Sequence, residues 1–204
     1  MFATRKLWMI AALACVSGLA AAQTTFHVNP RGGAIDVSGK IAPTQASPGE
    51  AVCFGDGSSG VKCPANNPGR PGHGCNNSDN TGGAALRLSG HPSIVHDTLV
   101  LGVRALPTPT TVVYMQATQL RTTPKPFGYG LMCLDGVFTR LAVKHSVNSV
   151  SKYPEFGEPG AAQTGNIQPG DSVYYQVMYK DVMVGGVGHP NFNVSNAWHT
   201  VWAP

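Results

Sequence analysis

The stretch "DSVYYQVMYKD", residues 171–181, decides the fold class of this chain. It alternates two sets of side chains, which are Val173, Tyr175, Val177 and Tyr179 against Tyr174, Gln176, Met178 and Lys180. Successive side chains of a β-strand point to opposite faces, so this period of two predicts a strand with one face of large apolar residues. The turn formers "QPGD" at 168–171 precede the strand, and we expect a turn there.

Segments of the same kind lie on both sides of this stretch. They are rich in β-branched and aromatic residues, are bounded by Gly, Pro, Asn or Asp, and predict strands at 84–90, 93–97, 97–106, 110–120, 136–148 and 197–204. The turn "PTPT" joins the third and fourth of these, so we expect a hairpin. Trp198 and Trp202 share one face of the last strand, which predicts that both pack in the core.

The composition leaves no place for a long amphipathic helix. Charged residues make up only 12% of the chain, which holds 25 Gly and 16 Pro. Short strands at this spacing predict an all-β fold, an antiparallel β-sandwich of the Ig-like or jelly-roll-like kind, with about eight strands and disulfide-stabilised loops. We assign this domain to residues 51–204, and the segment 23–50 has room for one extra strand, in "FHVNPRGGAIDVSG".

The first 22 residues have the layout of a secretory signal peptide. Arg5 and Lys6 precede an apolar run at 7–16, and three alanines stand just before Gln23, where we expect cleavage. The run is shorter than the roughly 20 residues that span a bilayer, so we predict no transmembrane anchor. Cys15 in "ALAC" resembles a lipid attachment site, although Ala12 stands where leucine is usual, and lipidation remains an alternative. The expected location is outside the cell, in the periplasm or at the cell surface.

The charge of the mature chain excludes a nucleic-acid ligand. Two of the 14 basic residues and none of the 10 acidic ones fall in the signal segment, which leaves 12 − 10 = +2. The Lys and Arg residues are scattered, whereas nucleic-acid binding proteins carry a clustered basic patch. We therefore expect that any binding does not depend on charge.

Four cysteines remain in the mature chain, at Cys53, Cys63, Cys75 and Cys133. An even number in an exported protein predicts two disulfides, with three possible connectivities. We favour Cys53–Cys63 with Cys75–Cys133, and second Cys53–Cys75 with Cys63–Cys133. The gaps of 9, 11 and 57 residues do not match the close pairs of structural zinc sites. With all four paired, no thiolate is left to act as a nucleophile.

Several short motifs resemble a cysteine- and glycine-rich module of secreted bacterial proteins that has no assigned function. They are "CFGDG" at 53–57, "CPANN" at 63–67, "GHGCNNS" at 72–78, "FGYGLMC" at 127–133, "YYQVMYKD" at 174–181 and "FNVSNA" at 192–197. Such modules usually read "CPC" where this chain has Cys63, Pro64 and Ala65, and carry another cysteine after the "YxD" stretch. The resemblance implies a secreted β-rich domain and transfers no catalytic residue.

Metal-binding candidates are weak. Asp56 in "GDGSSG" and Asp79 in "NNSDNTGG" offer oxygen ligands for calcium, but turn formation explains the same residues. No other cofactor is expected. A site of His91, His96 and Asp97 is disfavoured because the last two would point to opposite faces of a strand.

Hydrolase motifs are also weak. The chain contains no G-x-S-x-G, and "GDSV" at 170–173 only echoes a hydrolase block. Glu155 and Glu158 in "YPEFGEPG" predict a solvated loop rather than paired catalytic acids.

Four aromatic residues fall in segments rich in Gly and Pro: Phe127, Tyr129, Tyr153 and Phe156. Aromatic rings on loops can stack on sugars, so we predict that these four bind a ligand; the alternative is that they cap the ends of the sandwich. The predicted function is a secreted, non-catalytic module that binds polysaccharide or another component of the cell surface or matrix. The alternative is a secreted hydrolase whose site is assembled from loops.

Overall fold

The computed structural model describes residues 47–182 and 191–204, which all belong to one compact unit, Ala46–Pro204. The predicted signal peptide, Cys15 and the extra strand near 26–39 lie outside the described residues. The described elements are β1 (Glu50–Val52), β2 (Ala85–Ser89), β3 (Val100–Arg104), β4 (Thr111–Phe127), β5 (Gly130–His145), β6 (Val150–Tyr153), α1 (Ala161–Gly165), β7 (Ser172–Lys180), β8 (Phe192–Val194) and β9 (Ala197–Val201). In these two ranges no helix is long and apolar enough to cross a membrane.

The strands form two sheets in which every ladder is antiparallel. One sheet has the order β1-β9-β7-β4-β5, with β8 also paired to β7, and the other has the order β2-β3-β6. The prediction of an all-β, antiparallel fold is confirmed.

One hydrophobic core contains side chains from both sheets. It includes Leu86, Leu101, Val103 and Tyr153 from the smaller sheet and Val112, Tyr114, Val173, Tyr175, Val177, Tyr179 and Trp198 from the larger one, with Trp202 just after β9. The predicted alternation of β7 is confirmed, because its four apolar residues of one face all lie in this core. Burial of both tryptophans is confirmed as well. The opposite face of β7 packs Tyr174 and Met178 against a second cluster.

The expected hairpin between 97–106 and 110–120 is wrong, because β3 and β4 belong to different sheets. Pro107 and Pro109 in the connection have no N–H to donate to a ladder. The backbone of this connection bonds instead to the turn after β5: the Leu106 N–H donates to the Ser149 carbonyl, and the Thr110 N–H donates to the Ser146 hydroxyl. Both strands still turn an apolar face to the shared core. The apolar alternation is therefore the same whether they form a hairpin in one sheet or lie in two sheets.

The predicted strand at 93–97 is also wrong. Ser93 makes only an isolated bridge with Ala203. The side chains of this segment bond the local backbone, since the Ser93 hydroxyl accepts from the His96 N–H and the Asp97 carboxylate accepts from the Leu99 N–H. Such local bonds compete with pairing in a sheet, and the chain bends at 94–96.

The glycine-rich segment 53–83 contains no strand, as expected of its first 23 residues, and it is held by both disulfides. They join Cys53 to Cys133 and Cys63 to Cys75, so both of the connectivities that we favoured from the sequence are wrong. The physical reason is tertiary. Cys53 follows β1 at one side of the large sheet, its carbonyl accepts from the Ala197 N–H, and β5 brings Cys133 to within 6.2 Å between Cα atoms.

Close backbone contact explains two of the glycines in this segment. A Cβ atom added to Gly55 would lie 2.2 Å from the Cys75 nitrogen, and one added to Gly74 would lie 2.3 Å from the Val194 carbonyl oxygen. Real Cβ atoms do not approach other atoms so closely, so a larger residue at either position would displace backbone. The segment therefore packs on β8 through main-chain atoms.

Buried polar side chains complete the attachment of this segment. Asn77 donates to the carbonyl of Ala105, and Asp181 accepts from the Ser78 N–H and from the Asn193 amide. Asn196 accepts from the Leu86 N–H and returns a bond to the Leu86 carbonyl, which links the two sheets. These four polar side chains belong to the short motifs quoted above, and all are buried. Their role in this chain is structural.

Candidate functional site

Phe127 and Tyr129 do not lie on an exposed platform. Phe127 is the last residue of β4, is half-buried, and its ring centroid lies 4.6 Å from that of Phe192. Tyr129 is only 7% exposed, and its N–H donates to the carbonyl of Phe192. Both residues pack the turn between β4 and β5 against β8.

Tyr153 is a core residue of β6 and is 3% exposed. Its ring centroid lies 5.7 Å from that of Tyr114, and its hydroxyl lies 2.7 Å from the hydroxyl oxygen of Thr164. Burial raises the pKa of the Tyr153 hydroxyl. Both tyrosines are therefore buried, as in the alternative in which these aromatic residues cap the sandwich, and ligand binding by them stays a prediction.

Phe156 alone among the four predicted aromatics is fully exposed, with a relative exposure of 108%. It lies in a tight turn in which the Glu158 N–H donates to the Glu155 carbonyl at 3.0 Å. Gly157 has a φ of 85°, and turns of this length with a positive φ at the third position favour glycine there. The sequence "EFGE" therefore forms a turn that holds an aromatic ring in solvent.

Charged groups fix this turn on β5. The Lys144 ammonium pairs with the carboxylates of both Glu155 and Glu158, and the Glu155 N–H donates to the Glu158 carboxylate at 2.8 Å. The bond from Lys144 holds the pKa of the Glu158 carboxyl below its ordinary value. The predicted solvated loop is exposed as expected, but it is anchored at its base.

Each of the two candidate calcium residues has hydrogen-bond partners within the protein. The Asp56 carboxylate accepts from the Ser58 N–H at 2.9 Å and from the Gly72 N–H at 2.8 Å, as expected of turn formation. Asp79 accepts from the Thr108 N–H at 3.4 Å. Calcium binding stays a prediction.

The metal site considered for His91, His96 and Asp97 does not form. Asp97 accepts from the Ala162 N–H at 3.0 Å, besides its bond from Leu99. Within 47–182 and 191–204, no three His, Cys, Asp or Glu residues form a group that could hold a metal ion.

A row of polar side chains that the sequence did not predict crosses three strands of the large sheet. The Ser172 hydroxyl oxygen on β7 lies 2.8 Å from His199 Nε2 on β9, and His199 Nδ1 lies 3.3 Å from a Glu50 carboxylate oxygen on β1. The sheet register produces the row, since His199 lies opposite both Tyr174 and Glu50, and Ser172 is two residues from Tyr174 on the same face. We call these residues the Ser–His–Glu row.

The His199 ring is held on three sides. Besides its two hydrogen-bond partners, it stacks on the Tyr174 ring with a centroid distance of 4.8 Å and an interplanar angle of 23°. The His199 side chain is 24% exposed and that of Glu50 is 72% exposed. The imidazole is thus oriented by its neighbours while one side remains open to solvent.

A shallow cleft of about 370 Å³ adjoins His199 and Glu50 of this row. It is lined by Ser47, Pro48, Gly49, Glu50, Pro92, His199, Thr200 and Val201. Gly49 permits the close approach of β1 to β9, because a Cβ atom there would lie 2.0 Å from the His199 carbonyl oxygen. The Thr200 hydroxyl donates to the Pro48 carbonyl at 3.0 Å and holds the same segment.

The sequence contained one signal for this row, the segment "GDSV" at 170–173. The turn expected there is confirmed, with the Asp171 N–H donating to the Gln168 carbonyl at 3.1 Å. His199 lies 27 residues from Ser172 and 149 residues from Glu50 along the chain. Only the pairing of β1, β9 and β7 brings such distant residues together.

Comparison of the chain with protein-family models, with curated proteins and with solved structures found no match. The resemblance to a secreted bacterial module therefore stays a prediction, and the function is argued from the residues alone.

Proposed function

We propose that this protein is a secreted, non-catalytic module with a β-sandwich fold, of the Ig-like or jelly-roll-like kind, that binds a polysaccharide or another polymer of the cell surface or matrix. Two antiparallel sheets that share one hydrophobic core support the sandwich. Two disulfides support a location outside the cytoplasm, since disulfides persist in oxidising compartments.

The observation that carries the binding proposal is the exposed Phe156 ring on its braced turn. Full exposure of a large aromatic ring leaves its hydrophobic area unused in the free protein. The bonds among Lys144, Glu155 and Glu158 hold the turn before any ligand arrives, so little conformational entropy is lost on binding.

The chemistry of the turn fits a neutral polymer with hydroxyl groups. The Phe156 ring offers an apolar face, and the flanking Glu155 and Glu158 carboxylates accept hydrogen bonds from hydroxyls. Lys144 offsets one of the two carboxylate charges, so the turn keeps a single net negative charge beside the apolar ring. Contact of this kind tolerates salt, since a Debye length of about 8 Å at 0.15 M screens charges but not apolar contact.

The test is a glycan array, followed by pull-down on the polysaccharides that score, with the wild-type protein and Phe156→Ala. We expect binding that persists in high salt and falls at least about tenfold in the variant, while the melting temperature stays unchanged. Val95→Ala is the matched control, because Val95 is an apolar side chain, 70% exposed, on another loop. Equal binding by wild type and Phe156→Ala would overturn the proposal.

Tyr129→Ala is not a useful binding variant. Because Tyr129 is buried, its truncation is expected to destabilise the domain and to lower binding indirectly. It serves as a control that shows how much binding is lost when the domain is destabilised.

A further inference from the structure

We propose that Ser172 is a nucleophile activated by His199 and Glu50, and that the substrate class of this site is acyl esters. This activity goes beyond the proposed function: binding by Phe156 is independent of it, and the description of the protein as non-catalytic would then apply only to the Phe156 surface. The sequence analysis kept a hydrolase only as an alternative with a site assembled from loops. The proposed nucleophile and its partners lie on strands instead.

The two hydrogen bonds of His199 select one tautomer. Glu50 is an acceptor when ionised, so Nδ1, at 3.3 Å from its carboxylate, carries the hydrogen. The lone pair then lies on Nε2, 2.8 Å from the Ser172 oxygen, and accepts the hydroxyl hydrogen. A hydroxyl bonded to a neutral imidazole, which is in turn bonded to a carboxylate, is the arrangement that activates serine in hydrolases.

The row is placed by strands and by stacking rather than by a mobile loop. Ser172, His199 and Glu50 lie on three adjacent paired strands, and Tyr174 stacks against the imidazole. A nucleophile and base held in hydrogen-bonding geometry lose little entropy on reaching the transition state.

The cleft beside His199 is lined by His199 and Glu50 and not by Ser172, so it receives a part of the substrate away from the reacting carbonyl. With about 370 Å³ and lining residues that include Pro48, Pro92 and Val201, it has room for a small apolar acyl or alcohol group. Glu50 at its edge disfavours acidic substrates by charge repulsion. Neutral esters of small acids with good leaving groups fit both restrictions.

The reaction proceeds in two balanced halves. The Ser172 oxygen forms a bond to the ester carbonyl carbon while His199 Nε2 takes the hydroxyl proton; the bond from that carbon to the alkoxy oxygen breaks, and the alcohol leaves with this proton. Water then attacks the acyl-serine, gives one proton to His199, and releases the acid as Ser172 recovers its proton. Glu50 stabilises the imidazolium in both halves.

The test uses the mature protein and a fluorophosphonate, which phosphonylates activated serines with release of fluoride, and maps the adduct by peptide mass spectrometry. We expect the adduct on Ser172 in the wild-type protein and no adduct in Ser172→Ala. In His199→Gln the labelling rate should fall by at least about 100-fold. Glu50→Gln is expected to reduce the rate by a smaller factor. The exposed Ser89→Ala is the control that leaves labelling unchanged.

Hydrolysis of p-nitrophenyl acetate gives the second readout, with an initial burst of one p-nitrophenol per protein followed by slower turnover. An adduct on other serines only, or equal labelling of wild type and folded His199→Gln, would overturn the proposal. If the melting curve shows that a variant does not fold, the position of the adduct in the wild-type protein still tests the proposal.

Discussion

The shared core and the glycine-rich segment 53–83 are ordered by different forces. The core buries alternate apolar side chains of paired strands, such as those of β7. The segment 53–83 has no strand, and it is held by two disulfides, by close backbone contact at Gly55 and Gly74, and by buried Asn77.

The difference teaches what each kind of sequence can specify. Apolar alternation specifies a face and tolerates changes of partner, because any apolar neighbour of suitable size removes the same area from water. A glycine or a buried asparagine specifies one contact, because the first admits a particular backbone atom and the second needs particular hydrogen-bond partners. The segment 53–83 is therefore the more sensitive region to single polar or glycine substitutions, and the core to loss of volume.

The largest expected effect comes from the disulfide that joins the two regions. Replacement of Cys53 and Cys133 together by alanine opens a loop with a sequence separation of 80 and should cost roughly 4–5 kcal/mol of unfolding free energy in the chain-entropy model. The same change at Cys63 and Cys75, with a separation of 12, should cost about 3 kcal/mol. Urea unfolding of both variants measures the difference. A larger loss for the short loop would show that local order of the segment, and not chain entropy, dominates.

An intermediate effect is expected from Asn77→Ala. The Asn77 amide donates to the Ala105 carbonyl and to the Thr81 hydroxyl, both at 2.8 Å, so the variant removes two bonds from partly buried partners. The Ala105 carbonyl keeps its bond from the Thr81 hydroxyl at 2.6 Å. The expected loss is about 2 kcal/mol of unfolding free energy. Asn191→Ala is the matched control at an exposed position and should change stability by less than about 0.5 kcal/mol. If the two variants have equal midpoints in urea, polar bonds do not hold the segment 53–83.

The smallest effect concerns the turn that carries Phe156. The pKa of the Glu158 carboxyl is held below its ordinary value of 4.5 by Lys144, so folding favours the ionised form. Its contribution to stability is present above pH 4.5 and is lost as pH falls through the lowered pKa of the folded state. We expect Glu158→Gln to lower the melting temperature slightly at neutral pH and to match wild type in strong acid. A difference that stays the same across this range would show that the carboxylate charge is not involved.

Much of the local structure was predictable from the sequence. The strands at 84–90, 110–120 and 197–204, the alternation of β7, the turn at 168–171 and the pairing of all four cysteines follow from periodicity, turn formers and parity. These features depend on neighbours a few residues apart, which one sequence displays directly. The segment 93–97 failed because Ser93 and Asp97 bond their own backbone, a competition that strand propensity ignores.

Of the four aromatic residues predicted to be a binding site, only Phe156 is fully exposed. Phe156 is exposed because "EFGE" closes a tight turn, whereas Tyr153, three residues earlier, enters the core through β6. Both lie in one stretch rich in Gly and Pro, and nothing in its composition separates them. The Ser–His–Glu row was not foreseen, since its three members come from the two ends of the described chain and meet through strand register.

The sequence by itself determined which residues alternate, where the chain turns and that the cysteines are paired. The tertiary structure decided which sheet β3 and β4 join, which cysteines meet, and which aromatic remains in solvent. The reason is physical: side-chain period and turn chemistry act over a few residues, whereas strand partners are chosen by burial of a common core. Several strand pairings would bury the same apolar faces, and the local sequence does not distinguish between them; only the fold of the whole chain selects one.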